Sequence, residues 1–473
     1  MELITGNILK INHWPDGKII GIAKNIAAEL AQQGLDRESI LARLDAVRQN
    51  PGQFLIDALM ADLARECLRL VPKAADELDE LRESPLPYPI WGRAGIDESS
   101  LAQMDSAMRL PVSVAGALMP DAHVGYGLPI GGVLATDNAV IPYAVGVDIA
   151  CRMRLSIYEV SPYLLGQKKG LFEDALWERT SFGIGAQWQG KQRADHAVLD
   201  DPAWHATRLL KSLQDNAARQ LGTSGTGNHF VEWGAFRLHE PLLGLKPGDY
   251  LALLSHSGSR SVGFKIADRY SKLAMEKHPD LDKSIRHLAW LSLDTEEGQE
   301  YWLSMELAGR FASANHYIIH RRVAEAVGLK EAAVVENHHN FAWSQTMPDG
   351  KTVIVHRKGA TPAGKGVLGV IPGSMGDAGY VVRGRGLSDA LDSASHGAGR
   401  LMSRKAALGS ISKISRDEYL KERGVTLLGG GLDESPQAYK PIEQVIAAQQ
   451  ELVEVLGKFS PRIVRMAAET GDF

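Results

Sequence analysis

Val140–Ala150 reads Val-Ile-Pro-Tyr-Ala-Val-Gly-Val-Asp-Ile-Ala, and Cys151 and Arg152 follow it. A short β-branched, apolar run of this kind, closed by a polar cluster, reads as a buried strand. Three later stretches share the pattern: YLALLSH at 250–256, AAVVEN at 332–337 and TVIVHRKG at 352–359. Helical periodicity fills the gaps between them, at 202–221 and at 297–327, the longest helix candidate in the chain. The regular strand–helix–strand rhythm of a doubly wound sheet is missing. The pattern predicts an α+β (complex α/β) fold with mixed sheets flanked by helices.

Upstream of residue 90 the character changes. Residues 22–33 read as a helix stopped by Gly34, and Asp36 caps a second helix that runs to Gln49 before Asn50-Pro51-Gly52. A third is expected over 54–70, with Leu55, Leu59, Leu63 and Cys67 on one stripe. KAADELDELRESPLPYP then passes from acidic and helical to proline-broken. The boundary is placed at Pro85–Pro89, giving a helical N-terminal extension (1–89) and a catalytic domain (90–473).

The 473 residues carry 52 Lys plus Arg against 57 Asp plus Glu, a net charge of −5, so bulk electrostatic capture of nucleic acid is excluded and a local basic groove is not. Two cysteines exclude a disulfide framework. No apolar run reaches membrane-spanning length and the N-terminus lacks a signal-type apolar core, so a cytoplasmic protein with no membrane partner is expected. Glycine is enriched, at 48 residues, mostly in clusters after residue 120, as where backbone approaches a ligand.

Six short motifs concentrate the chemistry: MPDAHVGYG (119–127), VGVDIACR (145–152), GTGNHFVE (225–232), SHSGSR (255–260), ENHHN (336–340) and SHGAGR (395–400). Asp148 and Cys151, three residues apart, converge on one metal ion if the backbone turns between them; taken alone, Cys151 reads first as a small buried hydrophobe after an apolar strand. His229, His256 and His339 each sit beside a strand, where imidazoles serve as ligands or as hydrogen-bonded structural residues. In SHGAGR the small residues admit a phosphate to backbone N–H groups, Arg400 can grip it, and His396 is a candidate phosphate nucleophile; an ordinary tight turn is the alternative. PGSMG (372–376) and the Gly384/Gly386 pair are weaker phosphate loops, and His356-Arg357-Lys358 reads as a solvated strand end or an RNA-backbone contact.

Taken together and in this order, with HRKGATPAG and PGSMG between them, the motifs resemble the RtcB family of RNA-splicing ligases from about Ile90 to the C-terminus. The resemblance implies a GTP-dependent ligase with two Mn²⁺ ions. It joins RNA with 2′,3′-cyclic phosphate or 3′-phosphate ends to RNA with 5′-hydroxyl ends. By that likeness Cys151 would bridge the two metals, with Asp148 and His229 on one and His256 and His339 on the other. His396 would become guanylylated, and Asp121 would orient it. Asn228, His229, Glu232 and His339 would line the nucleotide site, with Glu232 on the guanine edge. Ser374, Gly397, Ala398, Gly399 and Arg400 would surround the phosphates, and Tyr439 would flank the base.

Departures from the family pattern accompany the match. Arg152 stands where a glycine is usual, Gly379 replaces an expected guanine-contacting serine, and no C-terminal lysine is found, Arg465 being the nearest substitute. These bear on the strictness of GTP selection. Two other readings compete with ligation: a metal-dependent RNA-end phosphodiesterase or phosphatase that does not seal, and a non-catalytic RNA-end-binding protein. An activating protein partner is compatible with all three.

Overall fold

The computed structural model describes residues 3–70 and 80–468. The N-terminal segment is helical: α1 (Lys18–Gln32), α2 (Arg37–Gln49) and α3 (Ala61–Leu70). Asp36 caps α2 as expected, its carboxylate accepting from the Ser39 N–H at 2.8 Å. The third helix starts later than its hydrophobic stripe suggests. Asp57 accepts the N–H groups of Leu59 and Met60, both at 2.9 Å, a local alternative to helix that holds the chain in turns until Ala61. Leu55, Leu63 and Cys67 are nonetheless buried together in a core these helices build for themselves, with Leu59 packed against it. The acidic stretch at 71–79 lies outside the described residues. From Leu81 the chain packs on the main body, Leu81, Leu86 and Tyr88 lying against its core.

The main body is α+β. Its strands are β1 (Ser113–His123), β2 (Ile130–Thr136), β3 (Arg152–Tyr158), β4 (Phe230–Leu238), β5 (Gly248–Ser257), β6 (Ala333–His338), β7 (Phe341–Thr346), β8 (Thr352–Lys358), β9 (Leu368–Ile371), β10 (Gly379–Gly384) and β11 (Val453–Met466). The larger sheet runs β9-β10-β11-β4-β5-β3-β6, every neighbouring pair antiparallel, with Thr426–Leu428 added parallel to β11. The smaller runs β1-β2-β8-β7, also antiparallel. Helices α4 (Arg208–Gln220), α5 (Arg260–Lys277) and α6 (Glu296–Val327) cover one side, and α6 is buried along most of its 32 residues.

Three of the four expected strands form where they were placed: β5, β6 and β8 contain 250–256, most of 332–337 and most of 352–359. The fourth does not. Within Val140–Ala150 only Val140 is in a strand; Pro142–Val145 is a single helical turn. Pro142 at its first position lacks the N–H a ladder needs, and Gly146, at φ +106, ends the turn at once. Composition alone reports burial here, and proline decides the conformation. Strand β8 also corrects the picture of a solvated end: His356, Arg357 and Lys358 are all buried.

His356 shows what that burial does. Its Nε2 accepts from the Ile141 N–H at 2.9 Å and its Nδ1–H donates to the Leu134 carbonyl at 3.1 Å, so the neutral ring joins the helical turn to β2. Burial lowers its pKa to about 4. The folded protein thus resists a proton that the unfolded chain accepts near 6.5, and stability from this ring, complete above that value, is lost as pH falls toward 4. Replacing it by Gln removes that dependence. The unfolding free energy of wild type is expected to fall more steeply than that of His356→Gln between pH 6.5 and 4, by about 3 kcal/mol. Denaturant titrations across that window would show parallel curves if the ring titrates normally.

Candidate active site

Four adjacent strands of the larger sheet end at one place. Cys151 immediately precedes β3, His229 precedes β4, His256 is the penultimate residue of β5, and His339 follows β6. The registers Phe230↔His256, Met153↔His256 and Arg152↔His338 align these ends. Sequence positions 78 to 105 residues apart thereby become neighbours.

The turn anticipated between Asp148 and Cys151 is present. Ala150 adopts a left-handed φ of +56, and the Cys151 N–H reaches the Asp148 carbonyl at 3.2 Å. Asn340, itself at φ +56, clamps this turn: its carbonyl accepts from the Ala150 N–H at 2.9 Å, and its side-chain amide donates to the Asp148 carbonyl at 3.3 Å. The His339 N–H bonds the Cys151 carbonyl at 2.9 Å. Across from Asp148 stands Gly258, where any Cβ would collide with the carboxylate.

Inside this frame the donor atoms converge. The Sγ of Cys151 lies 3.4 Å from His229 Nε2 and 3.1 Å from His256 Nε2. His256 Nε2 is 3.3 Å from His339 Nε2, and His229 Nε2 is 3.0 Å from Asp148 Oδ2. Among the described residues, ligand atoms of Cys151, His229 and His256 all lie within 4.8 Å of one another. His256 Nδ1–H donates to the Asn228 carbonyl at 3.0 Å, which leaves a lone pair on Nε2 facing Cys151 and His339. Burial lowers the His256 pKa to about 3, holds His339 well below its ordinary range and pushes the Cys151 thiol well above its own. The second cause at Cys151 is the neighbouring Asp148 carboxylate. A thiol, a carboxylate oxygen and three Nε2 atoms crowd one buried point, and His229 and His339 find no partner for Nδ1, a donor set that a cation completes. The residues present fit a metal pair, with Asp148 beside His229 and His256 beside His339.

His338 is not part of this cluster; its ring packs 4.9 Å from Phe341 and 5.1 Å from Trp343. Arg152, next to Cys151, points neither at the cluster nor at solvent. It is buried and paired with Glu336.

The ring of His396 lies 4.7 Å from that of His339. Its Nδ1 is 2.7 Å from Asp121 Oδ2, and the same oxygen accepts the His396 N–H at 3.2 Å. Asp121, fully buried near the end of β1, thus fixes both the ring and its backbone and leaves Nε2 with a free lone pair. A cavity of about 160 Å³ opens beside it, reached by Asn228, Ser374, Gly397, Ala398, Gly399, Arg400 and Tyr439. Gly399, at φ +75, lies against the Asp121 carbonyl with no room for a side chain.

Glu232 does not line this cavity. It lies two residues beyond Phe230, which does, and its carboxyl is buried with Oε2 unpartnered. Burial raises its pKa well above the carboxylate range. An orphaned carboxyl one step behind the cavity wall has a hydrogen bond still unmade. Arg400 is more committed than expected: its guanidinium bonds Glu434 at 3.1 Å and the Asp433 carbonyl at 2.6 Å, and lies 5.1 Å over the Tyr439 ring. Arg465 is turned away, 4.1 Å over the Trp177 ring and donating to the Leu428 carbonyl at 3.0 Å, so it does not replace a guanine-contacting lysine.

Sequence reasoning missed three residues. His123, two positions after Asp121, donates from Nδ1 to the Asp121 carbonyl at 2.9 Å and lines the cavity, as does the half-exposed Arg404. Arg260 crosses behind Gly225 to donate to the Gly183 carbonyl at 2.6 Å. The first and last sit inside quoted motifs; Arg404 has no local signal. Because Gly258 faces Asp148, Gly258→Ala is expected to displace that carboxylate and lower divalent-metal affinity at least tenfold. Calorimetric titration of metal-free protein checks this, and unchanged affinity would separate Asp148 from the metal.

A family model described as tRNA-splicing ligase RtcB matches residues 103–467. The RNA-splicing ligase RtcB of Escherichia coli K12 is 31% identical over 410 residues, covering 78% of this chain and 95% of that protein. The tRNA-splicing ligase RtcB of Nanoarchaeum equitans is 30% identical, covering 77% and 91%. That of Mycobacterium tuberculosis, an RNA-splicing ligase RtcB, is 32% identical, covering 71% and 93%. The chain belongs to the RtcB family.

Proposed function

We propose that this protein is an RNA ligase that uses GTP and Mn²⁺ to join 2′,3′-cyclic phosphate or 3′-phosphate ends to 5′-hydroxyl ends. The observation that carries the reading is His396, oriented by Asp121 at 2.7 Å and set against both the donor cluster and a glycine-lined cavity. RNA ligation as such is supported by family membership and by the names its relatives carry.

The chemistry follows from the orientation. With Nδ1–H held by Asp121, His396 Nε2 attacks the α-phosphorus of GTP, forming a phosphoramide as the bond to pyrophosphate breaks. The cyclic end is opened by water to a 3′-phosphate, whose oxygen then takes GMP from His396. The 5′-hydroxyl attacks that activated phosphate and expels GMP. Asp121 stabilises the imidazolium that develops when the first bond forms. Asp148, Cys151, His229, His256 and His339 would hold two Mn²⁺ ions, which would supply Lewis-acid stabilisation of phosphate charge. Glu232, buried one step behind the cavity wall, would meet the guanine edge, and Tyr439, Ser374 and Gly397–Arg400 would line the nucleotide pocket.

Residues 3–70, largely helical, pack on the rest of the chain, with Arg69 paired to Glu296 at 2.9 Å and Arg65 donating to the Ala206 carbonyl at 2.7 Å. Both cysteines are free and buried. No described helix is long and apolar enough to cross a membrane.

Two measurements test this. Incubation with α-³²P-GTP and Mn²⁺ is expected to give an acid-labile protein label that His396→Ala lacks entirely and Asp121→Ala forms at least a hundredfold more slowly. Undiminished labelling of His396→Ala would place the nucleotide elsewhere. For selectivity, Gly379 is informative because a Cβ there meets Pro372 Cα at 3.5 Å and the Ile371 carbonyl oxygen and Leu254 Cδ2 at 3.7 Å, ordinary contact distances. Gly379→Ser is expected to raise discrimination of GTP over ATP in the labelling reaction by about 3- to 10-fold, the worth of one hydrogen bond. Equal discrimination in both proteins removes residue 379 from base recognition.

A further inference from the structure

Behind the donor cluster, on the opposite face of the same strands, lies a second buried polar array that the proposed reaction does not use. Helix α6 presents Ser313, His316 and His320 at spacings of three and four, hence on one face. His316 and His320 are buried, as are the serines they meet. His316 Nε2 lies 2.9 Å from the Ser257 carbonyl, and its Nδ1 lies 2.7 Å from Ser255 Oγ. The same Ser255 hydroxyl is 2.7 Å from His320 Nε2. His320 Nδ1 then meets Ser156 Oγ at 2.7 Å, and Ser156 donates to Glu331. One continuous chain of contacts thus runs from Glu331 to the Ser257 carbonyl.

Its far end brackets a metal-site residue. Ser255 and Ser257 flank His256 on β5 and point to the helix while His256 points to Cys151. Beyond Ser257 comes Gly258, the residue pressed on Asp148. A third contact completes the array: Ser313 donates at 2.8 Å to Glu336, the partner of Arg152, which adjoins Cys151. Apolar side chains would suffice to pack a helix on a sheet. Burying two imidazoles is costly unless their hydrogen bonds are made, and made bonds fix distances and directions that apolar contacts leave loose.

We infer that His316 and His320 are positioning residues for the metal site, holding β5 from behind so that His256 and the Gly258–Asp148 contact keep the geometry that metal binding requires. The inference rests on the metal-site reading above. It concerns support of the ligands, since neither imidazole reaches the cluster.

The test is titration of full-length, metal-free protein with Co²⁺, following the thiolate-to-cobalt absorption band, for wild type, His316→Leu, His320→Leu, and the corresponding Gln variants. Leu at either position is expected to raise the Kd for Co²⁺ about tenfold and to shift the band, and Gln, which keeps a donor and an acceptor, to recover most of both. Ser255→Ala removes only the bridging hydroxyl, keeps the helix intact, and is expected to weaken Co²⁺ binding in the same direction. Leu and Ser255→Ala variants with a lower melting temperature but the wild-type Kd and spectrum would show that the array only packs, which overturns the inference. Wild-type protein that takes up no Co²⁺ overturns the metal-site reading and this inference with it.

Discussion

The constraint on which the rest depends is the turn at Asp148–Cys151 and its clamp, Asn340. Two non-glycine residues, Ala150 and Asn340, are held in left-handed backbone conformations facing each other, a local cost of about 1–3 kcal/mol apiece. The Ala150–Asn340 and Cys151–His339 backbone bonds, both at 2.9 Å, hold them there. These bonds continue the β3–β6 ladder past its regular end, so the sheet itself imposes the turn. In consequence a carboxylate, a thiol and an imidazole from two distant segments arrive together, and His229 and His256 enter from the next two strands by register alone. A shift of one residue in any of these strands would send its ligand to the α6 face.

How far the sequence revealed this differs by level. Strands β5, β6 and β8 and helix α6 were legible because periodicity and length reported them directly. The run at Val140–Ala150 was not, because apolar residues report burial whatever the backbone does, and Pro142 with Gly146 turned it into a helical turn. The late start of α3 has a related cause: a single Asp57 side chain competes with the helix, while the stripe of leucines reads through it. His356-Arg357-Lys358 misleads in the opposite sense. Three potential cations suggest solvent, but β8 is an inner strand of its sheet, and all three find partners inside it, Lys358 bonding the Tyr126 carbonyl and Arg357 the Leu391 carbonyl at 2.8 Å.

At the site, motif resemblance gave a residue set that composition and spacing left open, and geometry separates the members by how they are held. His396, Asp121 and the five expected ligands are locked by short contacts that need no ligand. The residues around the cavity are held differently. Arg400 is engaged by Glu434, Asp433 and Tyr439, while Arg404 beside it, also paired to Glu434, is half-exposed. Glu232 is the reverse case, a carboxyl with too few partners. The cavity thus has an arginine neutralised internally on its wall and, one step behind that wall, a carboxyl left unpaired.

Both faces of β3 bear on the choice of Arg152 over the smaller residue the resemblance leads one to expect. Met153, Leu155 and Ile157 point into an apolar core, while Arg152, Arg154 and Ser156 point to α6. On that face the two arginines meet Glu336 and Glu331, two cations against two anions, so no net charge is added beneath the donor cluster. A lone arginine beside Cys151 would lower metal affinity by repulsion. Paired as it is, Arg152 ties the start of β3 to β6 and, through Ser313, to the helix. The residue that looks most foreign to a cation site is therefore compatible with one, because its charge is spent on the opposite face of the sheet.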